Sequence, residues 1–330
     1  MRQLGWALAA AVLALALAVR AVAAGTGDLG PDDLALYEER SYGTDLPDWY
    51  GRQPFFLLWS LGDGQAFVTL AVDLDLDEAA IGLANPVYRF SRVGYSWLGR
   101  LFALGQKDLV PIGLLATNVV SLVVLTLWLF SLRGDMGWWP LLGLANPALY
   151  IAFASDTAEL LGVTLATLAL TAPPGLIGWA SAAALGATRP ELATVLPAAV
   201  RPFYRVLLTG MVALGVRVVG VLAMGPEGSI FGGGSIGWPL VGYLETWRGS
   251  LVPSVAGSAV FLLTSLLTIY VGVTRRRGVE RLAWVLTASL MLVLTPNVLR
   301  RPGNYLRAAA PLWLLWTIPT SRSTKRQSAA

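Results

Sequence analysis

The 330-residue chain contains no cysteine and no histidine, and only 13% of its residues are charged. A soluble domain carries about a quarter charged residues. With 55% hydrophobic residues and a mean hydropathy of +0.63, a water-soluble globule is excluded. The missing cysteine removes disulfides, thiol nucleophiles and iron–sulfur clusters. The missing histidine removes haem ligation of the usual kind, zinc sites that need imidazole, and the Ser–His–Asp triad. Chemistry here must run on Asp, Glu, Arg, Lys, Tyr, hydroxyls or backbone.

The charge that is present is unevenly placed. Residues 25–107 hold twelve acids and six bases, a net charge of −6 within a chain of net +4. The basic isoelectric point reflects Arg at membrane edges offset by one acidic loop, and no nucleic-acid partner is implied.

A membrane-crossing helix needs about 20 mostly apolar residues. Residues 4–24 meet this. They could serve as a cleaved signal peptide, since Ala21-Val22-Ala23-Ala24 supplies small residues. The length of the stretch and the many later spans favour a retained helix. Further spans are expected at 109–132, 138–153, 159–172, 206–224, 255–273, 282–299 and 308–318, with short stretches at 175–187 and 192–200. The expected fold is all-α and polytopic, with about ten transmembrane helices. The short pair is a hairpin that either crosses or re-enters. The organisation is a first helix at 1–24, a large loop with interfacial helices at 25–108, a multi-helix domain at 109–318 and a basic tail at 319–330.

Short loops rich in Arg or Lys mark the cytoplasm. The loop Arg275-Arg276-Arg277, the residues Arg133, Arg201 and Arg205, and the tail with Arg322, Lys325 and Arg326 all fit one side. Both termini then lie in the cytoplasm of a plasma-membrane protein. The acidic loop and segments 154–158, 188–191, 225–253 and 300–307 face outward.

The acidic loop carries apolar, aromatic patches, so it is not a disordered linker. Residues 95–104 place Trp97, Leu98, Leu101, Phe102 and Leu104 toward one side of a helix, as in a helix lying in the interface plane. A second interfacial helix is expected over 238–245. Gly62-Asp63-Gly64-Gln65 reads as a sharp turn with Asp63 at its tip. Asp73, Asp75, Asp77 and Glu78 alternate as ligands of a divalent cation do, but an acidic solvated turn gives the same pattern. The Gly-rich run 225–237 lacks the Lys-Ser/Thr of a phosphate loop and reads as a connector.

Several ionisable residues fall where burial is costly. Asp156 and Glu159 open the 159–172 span; helix capping, with Ser155 or Asp156 as N-cap, is the plain reading. Arg189 and Glu191 flank Pro190 and suit a local ion pair. Arg217 lies inside a span and needs a partner or a cavity, with Glu191 or Glu159 as possible partners. Arg300, Arg301 and Arg307 sit on the outer side with Tyr305. They suit neutralisation by local acids or lipid phosphate, or a phosphate clamp.

The order of elements carries a resemblance. Asp63-Gly64-Gln65 resembles the "YDGQ" turn of bacterial multispanning glycosyltransferases of the GT-C type, and 85–95, beginning Asn85-Pro86-Val87-Tyr88-Arg89, resembles their "NPxYRxxRxLYP" region. Asn146-Pro147 followed by Asp156-Thr157-Ala158-Glu159 is similar to "LNPxxxxxxxxDxTEPL". Thr188-Arg189-Pro190-Glu191 is similar to "LTRETxL", and Gly237-Trp238-Pro239-Leu240-Val241-Gly242 to "GxPLxG". The chain departs from these patterns at Pro190 and Leu160. The resemblance implies a GT-C-like fold that takes a sugar from a polyprenyl-phosphate-linked donor to a glycan or lipid acceptor outside the membrane. Asp63 would be the base, and Arg89, Arg92, Arg300, Arg301 and Tyr305 would bind the lipid phosphate. Asp156, Glu159, Arg189, Glu191 and Arg217 would support them, with no certain cofactor beyond a possible divalent cation. A transporter or lipid flippase using Arg217, Glu159 and Glu191, and a non-catalytic scaffold, are the competing classes.

Overall fold

The computed structural model describes residues 2–25, 63–72, 86–199, 202–225, 237–249, 252–300 and 302–318. These residues form helices, with no β-strand among them. Four helices are long and apolar enough to cross a membrane: α1 (Arg2–Gly25), α5 (Val110–Met136), α9 (Pro202–Met224) and α11 (Val252–Arg275). At 1.5 Å per residue each exceeds the ~30 Å hydrocarbon core. Between α1 and α5 lie α2 (Asp63–Val72), α3 (Pro86–Phe90) and α4 (Val93–Phe102).

The remaining expected spans are shorter or broken. The 138–153 stretch is a 3-10 helix, Trp139–Ala145, followed by α6 (Pro147–Ser155). Pro147 forces the break: it starts α6 at the first helical position, where its missing N–H costs nothing. Asn146 caps it, its side chain accepting from the Ala148 amide at 3.0 Å. Then come α7 (Glu159–Thr171) and α8 (Leu176–Gly186), of 13 and 11 residues. The 192–200 stretch is a 3-10 helix, Pro190–Ala198, not an α-helix. Residues 282–299 divide into α12 (Gly278–Leu292) and α13 (Pro296–Leu299) after α10 (Val241–Gly249) and α11. The last stretch divides into α14 (Pro302–Ala308) and α15 (Ala310–Thr317).

Irregular backbone survives at membrane depth only where protein or a water-filled cavity covers it. The 3-10 helix Pro190–Ala198 meets that condition. It packs among α7, α9 and α12, and Leu192, Val195, Leu196, Pro197 and Ala198 are buried. Side chains also bond locally to backbone: Thr164 to the Leu160 carbonyl at 2.8 Å and Thr167 to that of Val163 at 2.8 Å. The core of Leu, Ala and Val from α1, α5, α6, α7 and the 3-10 hairpin is continuous. Large apolar residues such as Leu207, Met211 and Leu214 of α9 and Leu263 and Leu267 of α11 face outward. Apolar outside and Thr, Ser and Asn inside is the distribution of a membrane-embedded bundle.

The arginines fall at two ends of this bundle. At one end Arg205, almost fully buried, donates to the carbonyls of Ala169 and Ala172 and caps α7 where the dipole is negative. Arg133 lies over Phe130 and Trp138, and Arg276 over Trp284. At the other end cations meet carboxylates. Arg20 of α1 donates two hydrogen bonds to Asp156 at 2.7 Å each. Helix α4 exposes Trp97, Leu101 and Phe102 and buries Tyr95, Ser96 and Gly99. It lies with its apolar side outward, as an interfacial helix does.

Two expectations about local structure change. Asp63, Gly64 and Gln65 form the first turn of α2 rather than a free turn tip. Asp156 does not cap α7. It terminates α6 in the left-handed region, at φ 51° and ψ 53°, and Ala158 precedes α7 with no side-chain cap. With Ala158 at its N-cap, α7 starts two residues later than a capping Asp156 would place it.

Candidate functional site

A cavity of about 600 Å³ opens at the carboxylate-rich end. Five of the expected site residues line it: Arg92, Glu159, Arg189, Glu191 and Arg217, joined by Arg307 from the outer arginine group. They come from five separate segments, and the backbone explains why they meet.

Arg92 sits in the two-residue link between α3 and α4. The Gly94 amide donates to the Ala187 carbonyl at 2.9 Å, and a Cβ at Gly94 would reach that same oxygen at 2.9 Å. Only a glycine lets this link approach the hairpin so closely. The contact sets Arg92 against Glu191, Nη2 to Oε1 at 2.9 Å. Arg92 also donates to the Tyr88 hydroxyl, and its guanidinium stands 4.4 Å from the Tyr88 ring centroid.

Arg189 precedes the 3-10 helix and pairs with Glu191 at 2.8 Å, so the local ion pair expected across Pro190 is present. It also donates to Glu159 Oε1. Its stem lies over Gly162, one turn into α7, where a Cβ would stand 2.6 Å from the Arg189 Cγ. Arg307 of α14 completes the group, its Nε and Nη2 reaching Glu159 Oε1 at 2.8 and 2.5 Å. One oxygen of Glu159 therefore holds two guanidiniums.

Burial by itself would raise the Glu191 carboxyl, but Arg189 and Arg92 outweigh it and hold Glu191 below the usual carboxylate value of 4.5. Arg217 projects from α9, half-buried, seven residues before its end at Met224, or ~10 Å along the axis. Four arginines face two glutamates, so the lining carries a net charge of +2. The rest of the lining is largely apolar and includes Ala213, Leu214, Leu290, Met291, Leu294, Val298 and Pro311. The arrangement suits an anion joined to an apolar chain. Arginine forks bind phosphate or carboxylate through paired hydrogen bonds.

Other expected residues fall elsewhere. Arg89 is buried beside the Tyr88 ring but does not line the cavity. Arg300 reaches the Glu245 carbonyl at 3.4 Å on α10. Tyr305 stacks on Phe261, ring centroids 6.2 Å apart, within an apolar cluster. Its aromatic body fills the space left by Gly257, where a Cβ would come within 2.6 Å of the Tyr305 ring. Asp156 is taken up by Arg20 and by Asn118, which donates to it at 3.0 Å. Arg301, the Asp73–Glu78 segment and the side chain of Asp63 lie outside the described residues. Among the described residues no group of three or more Asp or Glu could hold a metal.

Tyr88, Ser91 and Asn304 line the cavity without having been singled out. Spacing could have found two of them. Tyr88 precedes Arg92 by four residues and Asn304 precedes Arg307 by three, which places each pair on one side of a helical turn. Compared with known proteins, the chain matches no family model, and no curated protein or solved structure is significantly similar to it.

Proposed function

We propose that this membrane-embedded protein is a GT-C-like glycosyltransferase. It would move a sugar from a polyprenyl-phosphate donor to a glycan or lipid acceptor at the extracytoplasmic face of the plasma membrane. The single observation that carries the reading is the cavity, whose lining combines guanidiniums with apolar side chains. An isoprenoid phosphate has the matching form, one charged head on a hydrocarbon chain. The remaining expected spans, counted as crossings or re-entrant pieces around the four long helices, complete a bundle of about ten.

In this reading Arg92, Arg217 and Arg307 hold the phosphate and take up the charge that develops as it leaves. Asp63 removes the proton from the acceptor hydroxyl. The acceptor oxygen then bonds to the anomeric carbon while the carbon–oxygen bond to phosphate breaks, and the electron pair leaves on the lipid phosphate. Glu191 is a poor base, because Arg189 and Arg92 beside it stabilise its charged form. Helix α2, which Asp63 opens, packs on α4 and α5 beside the Arg92 link.

The test is a deletion strain complemented with wild type, Asp63→Asn or Arg307→Gln, scored by mass spectrometry of carrier lipids and surface glycans. Transfer predicts that deletion leaves the sugar on the lipid carrier and missing from one glycan, and that neither variant restores it. Unchanged glycans in the deletion strain would refute it. A carrier trapped on the cytoplasmic leaflet, with Asp63→Asn fully active, would instead assign flippase activity.

A further inference from the structure

Tyr88 lines the cavity beside Arg92 but is not part of the ion-pair network. Its ring is held from two directions. The guanidiniums of Arg92 and Arg89 stand 4.4 and 5.8 Å from the ring centroid, so cations take up the π face. At the tip, Arg92 donates a hydrogen bond to the phenol oxygen, and the same Nη2 donates to Glu191 Oε1 at 2.9 Å. The Ser91 hydroxyl donates to the Tyr88 carbonyl at 2.6 Å and steadies the end of α3. A guanidinium has no acceptor, so the direction of the Arg92–Tyr88 bond is fixed: the phenol oxygen accepts. The phenol keeps its own proton to donate. No described residue accepts that proton, and the half-buried ring faces the cavity. A hydroxyl whose oxygen already accepts from a cation is polarised toward donating.

We infer that Tyr88 is a ligand-binding residue: its hydroxyl donates a hydrogen bond to a non-bridging phosphate oxygen, next to the oxygen that Arg92 holds. The inference rests on the cavity being a lipid-phosphate site. It adds a donor that brings no charge. Guanidiniums attract any anion, and the attraction falls off slowly with distance. A hydroxyl fixed at face and tip bonds well to an oxygen at one distance and angle. Arg92 therefore supplies attraction, and Tyr88 sets where the phosphorus comes to rest. Tyr88 gives up no proton and forms no covalent bond. The placement follows from the chain: Tyr88 precedes Arg92 by four residues, so one helical turn brings the phenol and the guanidinium to the same side.

The experiment measures binding of citronellyl phosphate to the full-length protein in nanodiscs, for wild type, Tyr88→Phe, Arg92→Gln and the double variant. Tyr88→Phe keeps the ring against both guanidiniums and removes the hydroxyl, so the thermal midpoint should hold. Affinity should fall about five- to fiftyfold. The double variant separates contact from support. A hydroxyl that touches the ligand should still matter at least about threefold when Arg92 is already Gln. If Tyr88 acts by holding Arg92 in place, Tyr88→Phe should cost nothing further there, and that result overturns the inference. Wild-type affinity in Tyr88→Phe overturns it as well, and leaves the phosphate cavity intact. If Tyr88→Phe is unstable, 3-fluorotyrosine at position 88 decides. It has nearly the same shape and a stronger O–H donor, and it should tighten binding at pH 6; unchanged or weaker binding overturns the inference. Failure of citronellyl phosphate to bind wild type overturns the functional reading too.

Discussion

Arg20 and Asp156, 136 residues apart, meet through two parallel hydrogen bonds of 2.7 Å with both side chains almost wholly buried. Arg20 also reaches the Phe153 carbonyl at 2.6 Å. It thereby satisfies the end of α6 while neutralising the residue that turns the chain into α7. The pair fastens α1 to the break that aims Glu159 at the cavity. Removing one partner leaves an uncompensated buried charge, which costs roughly 3–5 kcal/mol. Arg20→Leu and Asp156→Ala should each lower the thermal midpoint in mild detergent by many degrees. Asp156→Ala should be the worse, because alanine also resists the left-handed backbone at φ 51°. Midpoints unchanged within error would show that α1 is only loosely attached.

Close packing of α4 on α5 rests on two glycines. A Cβ at Gly113 would collide with the Gly99 backbone, and one at Gly99 with the Leu114 side chain. Small residues at such crossings let helices approach in a membrane, where burial in lipid offers no separate drive. Gly113→Val should cost about 1–3 kcal/mol or more. Gly134, on the same helix with nothing within 4 Å of its would-be Cβ, provides the control. Gly134→Ala should be neutral or stabilise by up to about 1 kcal/mol. Equal effects of the two changes on thermal stability would mean the crossing is not packed as described.

These two cases show how much the sequence made legible. Arg217 was found from its cost within an apolar run, and Arg189 with Glu191 from their position around Pro190. Both readings rest on local chemistry, and all three residues line the cavity. The breaks at Pro147 and Pro296 were equally local, since each proline begins a helix. Summed hydropathy concealed them, because it measures depth and not backbone regularity. The pairing of Arg20 with Asp156 was not legible at all. Nothing in either residue's neighbourhood selects the other. Arg307 joined Glu159 rather than Arg300 for the same reason: α13 and α14 turn the two arginines to different sides, one toward α10 and one toward the cavity.

The guanidiniums of the cavity should dominate anion affinity. Arg307→Gln leaves Glu159 with Arg189, and Arg92→Gln leaves Glu191 with Arg189, so neither strands a carboxylate and both variants should fold. Each should weaken binding of a short-chain isoprenyl phosphate about ten- to a hundredfold, as the loss of a charge-assisted hydrogen bond predicts. Arg217→Leu should also weaken it, since it removes one of the guanidiniums lining the cavity. Isothermal titration in nanodiscs measures both. A fall in stability without loss of binding in Arg217→Leu would make that residue structural.

The pH response follows from what surrounds Glu191. Arg189 and Arg92 hold its carboxyl below the usual 4.5 despite burial. A carboxylate whose folded pKa is depressed contributes stability fully present above its unfolded value. That contribution disappears as pH falls through the folded value. The chain has no histidine, arginine stays protonated, and lysine and tyrosine titrate near pH 10. The chain therefore lacks the side chain whose ordinary charge change falls near neutral pH. Affinity for an isoprenyl glycosyl phosphodiester, a ligand that does not itself titrate between about pH 5.5 and 8, should be flat across that range. Thermal stability should likewise hold across that window and fall only below about pH 4.5, as Glu191 takes up a proton and releases Arg189 and Arg92. A binding transition centred near pH 6–7 would show that a group outside this cavity governs the ligand.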